Sequence, residues 1–317
     1  MSVDRDSGQD EGSSLVERAI ERLTGPDSAQ GLSAMRDIEP EVRVEPEAPP
    51  SAEPPHCTAE RRSKQVSINL EKLRSVGGFI PNGMFTRTTE EFRMIKHSVL
   101  LNEARRRDEG SLNSNLVMVT SSREGEGKTF VAINLAMSLA AERDKKVLLI
   151  DADLRNPSIL ERLGIRAERG LIDVLEDASI DLADVLLRTN VESLSVLHAG
   201  HPHPLSTELL ASARMEQFMS EIARRYADRV IVLDAPPVLA TSEPAALAMH
   251  VGQIAFVVEA SKTSQSAVKE ALGLISICPD IGFVLNKAPF QFGMPRFGSY
   301  YKSYSKSYYR ESKKKRK

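Results

Sequence analysis

Residues 116–142 read LVMVTSSREGEGKTFVAINLAMSLAAE, and the order of elements in this stretch decides the fold. Leu116 to Thr120 is a short, unbroken apolar run, the pattern of a strand buried on both faces. It leads directly into Ser121-Ser122-Arg123-Glu124-Gly125-Glu126-Gly127-Lys128-Thr129, and from Phe130 onward the chain reads as a helix. Strand, glycine loop and helix in that order make a phosphate-binding loop, with Ser122 where the common pattern has its first glycine. Each residue type has a task. Gly125 and Gly127 let backbone N–H groups close on phosphate oxygens, and the helix start adds partial positive charge. Lys128 neutralises the β and γ phosphates, and Thr129 offers a hydroxyl to Mg²⁺. Glu126 and Phe130 belong to the same nucleotide-lining segment. A plain glycine turn before a helix would not need a complete GKT at this place.

Outward from the loop, short apolar runs alternate with helical stretches: KVLLID (146–151), LSVLHAG (194–200), RVIVLD (229–234), QIAFVVEA (253–260) and IGFVLNK (281–287). Together with 116–120 they predict an α/β fold, a P-loop NTPase-like parallel sheet with helices on both faces and every strand buried on both sides. Two strands end in carboxylates. VLLIDADLR puts Asp151 and Asp153 just past one strand, and VIVLDAPP does the same for Asp234. In an open α/β sheet the ligand lies beyond the carboxyl ends of the strands, so these three aspartates are expected to face the nucleotide and its metal. A lone aspartate after a strand is usually a turn or cap residue. Three beside a phosphate loop point to a site. Arg155 and Asn286 join the expected nucleotide contacts, although an arginine at a helix start serves equally well as a surface residue.

The rest of the chain frames this domain. With 317 residues and a formal net charge of −2, the whole chain does not have the profile of a nucleic-acid binder. Its two cysteines, Cys57 and Cys278, lie far apart, which indicates neither a disulfide framework nor a thiolate metal site and fits a reducing cytoplasm. No run reaches the roughly 20 apolar residues of a membrane span, and the first thirty residues are charged rather than signal-like. Residues 1–24 contain a short amphipathic helix with Leu15, Ala19 and Leu23 four apart. Residues 25–63, rich in Pro, Glu and Ser, read as a disordered linker. The globular domain is expected over 64–289. Its first long helix opens at Thr88-Thr89-Glu90-Glu91, where Thr88 and Glu91 have capping-box spacing, and runs to about Arg106. His198, His201 and His203 have no carboxylate or cysteine interleaved and are expected to be loop histidines.

DADLR after the phosphate-loop helix, with DAPP further on, resembles the bacterial tyrosine kinases, the BY-kinase family of capsular and exopolysaccharide systems. The likeness covers roughly Val66 to Lys287 and extends to GHPHPLSTELLAS (200–212), where Leu205, Ser206 and Thr207 depart from the family's proline spacing. Within the family the chain is most similar to the tyrosine autokinases of exosortase-associated loci, through its N-terminal helix, FIPNGMFTRTTEEFRMIK (79–96) and the character of its tail. The resemblance implies phosphate and metal roles for Lys128 and Thr129, and a metal role for Asp234. It implies metal binding and activation of an incoming tyrosine hydroxyl at Asp151 and Asp153, with the base left open between them. Glu90, Arg93 and Lys96 match the family's ExxRxxR oligomerisation motif with lysine in the last place, which weakens bidentate pairing. Such charges are by default a solvated helix face. ATP and Mg²⁺ are the implied cofactors. The implied partners are a membrane-anchored polysaccharide chain-length determinant acting as activator, and further copies of the chain, and the implied location is the cytoplasm, peripheral to the inner membrane.

Residues 290–317 read as a tail. Of the chain's six tyrosines, five fall there within ten residues: Tyr300, Tyr301, Tyr304, Tyr308 and Tyr309. They lie among Ser, Lys and Arg, where tyrosine has no core to fill. A substrate cluster able to reach an active site explains the placement. From Gly298 onward eight basic side chains and one acidic give a net +7, which also suits an anionic membrane surface. Two other classes share the core motifs: a partition-type ATPase, whose signature lysine would stand where Arg123 stands, and an assembly component gated by nucleotide without kinase activity.

Overall fold

The computed structural model of the chain describes residues 63–81, 83 and 86–289. The expected N-terminal helix and tyrosine tail, and all but the last residue of the expected linker, lie outside these residues. Eight strands form one sheet: β1 (Gln65–Val66), β2 (Leu116–Ser121), β3 (Lys146–Asp151), β4 (Leu187–Thr189), β5 (Leu194–Leu197), β6 (Arg229–Asp234), β7 (Gln253–Glu259) and β8 (Ile281–Asn286). Ten helices accompany them among the described residues: α1 (Leu70–Ser75), α2 (Arg87–Asp108), α3 (Lys128–Leu139), α4 (Ile159–Leu163), α5 (Leu171–Glu176), α6 (Leu182–Val185), α7 (Ser206–Leu210), α8 (Ala213–Arg225), α9 (Glu243–Ala248) and α10 (Gln265–Ile275).

The sheet order is β1-β4-β5-β3-β6-β2-β7-β8, and every pairing is parallel except β4 with β5. The expectation of a purely parallel sheet is corrected at that one ladder. β1 and β4, of two and three residues, are too short to leave a periodic trace in the sequence. β2, β3 and β6 are buried along almost their whole length, and alternate residues serve opposite cores. Leu116, Met118, Leu148, Ile150, Ile231 and Leu233 point into one cluster. Val117, Val119, Val147, Leu149, Val230 and Val232 point into the other, where α3 contributes Val131, Ile133, Leu135 and Met137. This double burial produced the continuous apolar runs.

Two further expectations are corrected. β8 is the outermost strand and is not covered on both faces: Phe283 is 59% and Leu285 is 65% exposed. An apolar run alone does not separate an edge strand from a central one. The capping box of α2 is formed by Thr86 and Thr89 rather than by Thr88 and Glu91. Thr86 has extended backbone and its hydroxyl accepts from Thr89 N–H, so the helix starts two residues earlier than the box read from sequence.

Asn115 fixes the entry to β2. Its buried amide donates to the carbonyls of Tyr226 and Arg229, at 3.2 and 3.1 Å, in the turn that starts β6. Asn115→Ala removes the side-chain donor from both carbonyls, that of Tyr226 keeping the Arg229 N–H at 2.9 Å, and should lower the unfolding free energy by roughly 1–2 kcal/mol, read as a shifted midpoint at constant slope in urea.

Candidate phosphate and carboxylate site

β2 lies between β6 and β7, and the loop that follows it opens at the carboxyl end of the sheet beside the ends of β3 and β6. Gly125 and Gly127 both have left-handed backbone, at φ +81° and +98°, which glycine adopts without strain. α3 then begins at Lys128, so its first N–H groups and its dipole face the loop.

Three carboxylates converge on this helix start. Asp151 and Asp234 are in-register neighbours on β3 and β6, and both are almost fully buried, as is Asp153. Lys128 Nζ lies 2.6 Å from Asp153 Oδ2 and 3.6 Å from Asp234 Oδ1. Asp151 Oδ2 accepts from the N–H groups of Ser158 and Ile159, both at 3.1 Å. Its other oxygen and both oxygens of Asp234 are buried without a hydrogen-bond partner. Burial, then the neighbouring Asp234 carboxylate, pushes Asp151 up to about 8. Burial likewise raises Asp234, to about 6, against the pull of Lys128. Burial lowers Lys128, but Asp234 and Asp153 more than offset this, and the lysine is held charged above its ordinary range.

Among the described residues no set of three or more His, Cys, Asp or Glu side chains is grouped to hold a metal ion. A metal here would rest on one or two carboxylates together with Thr129 and phosphate oxygens, the mode that suits Mg²⁺. The unpartnered oxygens of Asp151 and Asp234 are donors of the right hard type, so the residues fit. Thr129 is buried next to them, its hydroxyl 3.5 Å from Ser158 Oγ.

The other expected residues distribute as follows. Glu126, Phe130 and Asn286 lie on the loop or against it: Asn286 Nδ2 donates to the Glu126 carbonyl at 2.8 Å, and the Phe130 ring meets Phe92 edge-on at 5.9 Å. Arg155 is exposed, just past Asp153. On α2, Arg93 pairs with Glu90 three residues back, and Lys96, only 13% exposed, turns inward to Glu142. The fold brings carboxylates to the histidines that their sequence neighbourhood lacked. His203 Nε2 lies 2.7 Å from Glu176, and His201 lies 3.6–3.7 Å from Asp173 and Glu176. Sequence reasoning missed Thr263 and Lys287, which reach the loop from β7's following turn and the end of β8. No motif marks them.

The architecture and this loop define a P-loop NTPase, and the ParA family, described as NUBPL iron-transfer P-loop NTPase, matches residues 113–284, more than half of the chain. The putative tyrosine-protein kinase CapB of Staphylococcus aureus is 30% identical over 218 residues, 68% of this chain and 90% of that protein. Tyrosine-protein kinase YwqD of Bacillus subtilis (strain 168) is 33% identical over 172 residues, 54% of this chain and 71% of that one. Among solved structures, the VpsO kinase domain superposes with a TM-score of 0.51 at 33% identity, covering 61% of this chain and 98% of its own. The chain belongs to the bacterial tyrosine-protein kinase family.

Asp151 and Asp234 bind their protons more tightly folded than unfolded. Between about pH 4 and pH 8 these two groups therefore hold protons in the folded chain that they release in the unfolded one, and their contribution to metal-free stability falls as pH rises through that window, opposed near pH 6 by His198, whose proton burial loosens. With chelator present, the melting temperature should drop steadily from pH 5 to pH 8, and Asp151→Asn should flatten the upper part of the slope. A parent slope that Asp151→Asn leaves unchanged would remove Asp151 as its source.

Proposed function

We propose that the chain is an ATP-dependent protein-tyrosine autokinase that phosphorylates Tyr300, Tyr301, Tyr304, Tyr308 and Tyr309 of its own tail. The supporting observation is the meeting of Lys128 with three buried aspartates at a phosphate loop, two of them with oxygens free for a cation. Loop N–H groups and Lys128 hold the triphosphate, while Thr129, Asp151 and Asp234 hold Mg²⁺. Bound there, Mg²⁺ neutralises charge on the phosphates. Asp151 or Asp153 takes the proton of the tyrosine hydroxyl, the tyrosine oxygen bonds to the γ-phosphorus, and the bond from that phosphorus to the β-bridging oxygen breaks to release ADP. Asp153, already 2.6 Å from Lys128, is placed to hand that lysine to the phosphates when nucleotide enters. Arg155 and Asn286 complete the nucleotide contacts.

The same reading places the kinase in an exopolysaccharide system. A membrane-anchored activator recruits it to the inner membrane, the basic tail adds attraction to anionic lipid, and copies assemble through Glu90 and Arg93. Among the described residues no helix is long and apolar enough to cross a membrane.

Incubation with Mg-ATP and mass mapping should locate phosphate on the tail tyrosines. Lys128→Met should lower phosphotyrosine by at least about a hundredfold, the scale for loss of one donor to developing charge, with an unchanged far-UV spectrum. Asp153→Asn should do the same, and Asp234→Asn should raise the Mg²⁺ concentration needed. Phosphotyrosine at parent level in Lys128→Met would end the assignment.

Assembly is tested by replacing Glu90 and Arg93 with Ala, leaving Lys96 and its Glu142 pair intact. Light scattering should show the mass of the unphosphorylated protein shifting toward monomer. An unchanged mass would place the interface elsewhere.

A further inference from the structure

Around the phosphate loop, a set of side-chain contacts holds its backbone. Glu126 is buried, at 4% exposure, and its carboxylate accepts from Arg123 N–H at 3.0 Å and from the Thr263 hydroxyl at 2.5 Å. Thr263 in turn accepts from Glu259 N–H at 3.1 Å, which fixes the hydroxyl as donor toward Glu126. From β8, Asn286 Nδ2 donates to the Glu126 carbonyl at 2.8 Å. Lys287 Nζ donates to the Gly125 carbonyl at 2.6 Å and sits 3.1 Å from the Glu259 carboxylate. Asn286 packs so closely that a Cβ on Gly127 would come within 2.1 Å of its amide nitrogen. Lys287 itself has left-handed backbone, φ +53°, unusual for a residue with a side chain.

The consequence follows from peptide planarity. In a trans peptide the carbonyl and the next N–H point in opposite directions. Turning the Gly125 carbonyl toward Lys287 therefore aims the Glu126 N–H the other way, and turning the Glu126 carbonyl toward Asn286 does the same for the Gly127 N–H. These are the loop N–H groups available to phosphate oxygens.

We propose that Thr263 and Lys287 are positioning residues for the nucleotide: they hold the loop backbone in its phosphate-accepting shape, and so set affinity for the phosphate chain of a nucleoside triphosphate rather than the rate of phosphoryl transfer. The proposal rests on the phosphate-loop reading above. Neither residue touches the reacting atoms, and each reaches the loop from an element that follows β7 in the chain.

The full-length chain carries the test, with Thr263→Val, Thr263→Ser and Lys287→Met titrated against a fluorescent ADP analogue and assayed for phosphotyrosine over a range of ATP. Loss of one hydrogen bond corresponds to about five- to tenfold. Thr263→Val and Lys287→Met should bind the analogue weaker by that factor and raise KM for ATP equally, with the rate at saturating ATP within about twofold of the parent. Thr263→Ser, which keeps the hydroxyl, should restore parent affinity, a rescue that loss of general stability would not give. Parent affinity in both Thr263→Val and Lys287→Met would overturn the proposal, as would a fall in saturated rate at unchanged affinity. A parent chain that binds no analogue would remove the phosphate-loop reading itself, and the brace with it.

Discussion

Lys128 and three aspartates share a buried space at the carboxyl ends of β3 and β6, and the rest of the molecule is arranged around the cost of that arrangement. Asp151 and Asp234 are direct neighbours in the parallel ladder, so their strands stand about 4.8 Å apart, and like charges at that spacing inside a protein repel strongly. One lysine cannot neutralise three carboxylates. Without a metal, the chain answers partly by holding Asp151 protonated near neutral pH and partly by giving it two backbone N–H donors from the start of α4. What remains is a shortage of positive charge, which a divalent cation removes. A triphosphate brought in alone would add to the negative charge, whereas one accompanied by a metal supplies the missing cation. The electrostatics thus favour the two arriving together.

Much of this was readable from sequence because it is local. The phosphate loop is a contiguous segment whose glycines, lysine and threonine sit at fixed spacing. Asp151, Asp153 and Asp234 announce themselves at the ends of apolar runs whose continuity comes from double burial. Other features depend on which elements become neighbours. Thr263 and Lys287 lie more than 130 residues from the loop they hold. The exposure of β8 depends on its place at the sheet margin, and β1 and β4 are too short for any pattern to register. The cap of α2 was misplaced because two threonine pairings compete in TRTTEE, and the winner is the threonine whose backbone is extended.

The α2 charges illustrate the same boundary. Spacing puts Glu90, Arg93 and Lys96 along one helix face, yet the fold divides them. Lys96 is drawn to Glu142, in the turn that follows the phosphate-loop helix, and is mostly covered. Glu90 and Arg93 pair on a more open part of the same face. Lys96 thereby ties α2 to the turn after α3, so the surface carrying Glu90 and Arg93 is fixed relative to the helix that begins at the nucleotide loop. A neighbour gripping that surface would be held in register with the site, which an isolated mobile helix could not achieve.

Chain geometry also bears on how a tail reaches a site. β8 runs parallel to β2 and ends at Asn286, so the chain leaves the sheet on the side where the phosphate loop and the aspartates lie. From β8 to β3 is four strand spacings, about 19 Å. The 13 residues from Lys287 to Tyr300 can span at most roughly 43–47 Å when extended. Reach therefore does not forbid a tail from meeting its own site, and tether length cannot be what selects phosphorylation between copies. That selection would have to come from direction. Lys287, at the end of β8, lies beside the phosphate loop, and a tyrosine must present its oxygen in line with the bond to the leaving phosphate. A tether rooted next to the phosphate loop would have to reach the carboxylates across a bound nucleotide, a constraint that a tail from another copy, rooted elsewhere, would not share.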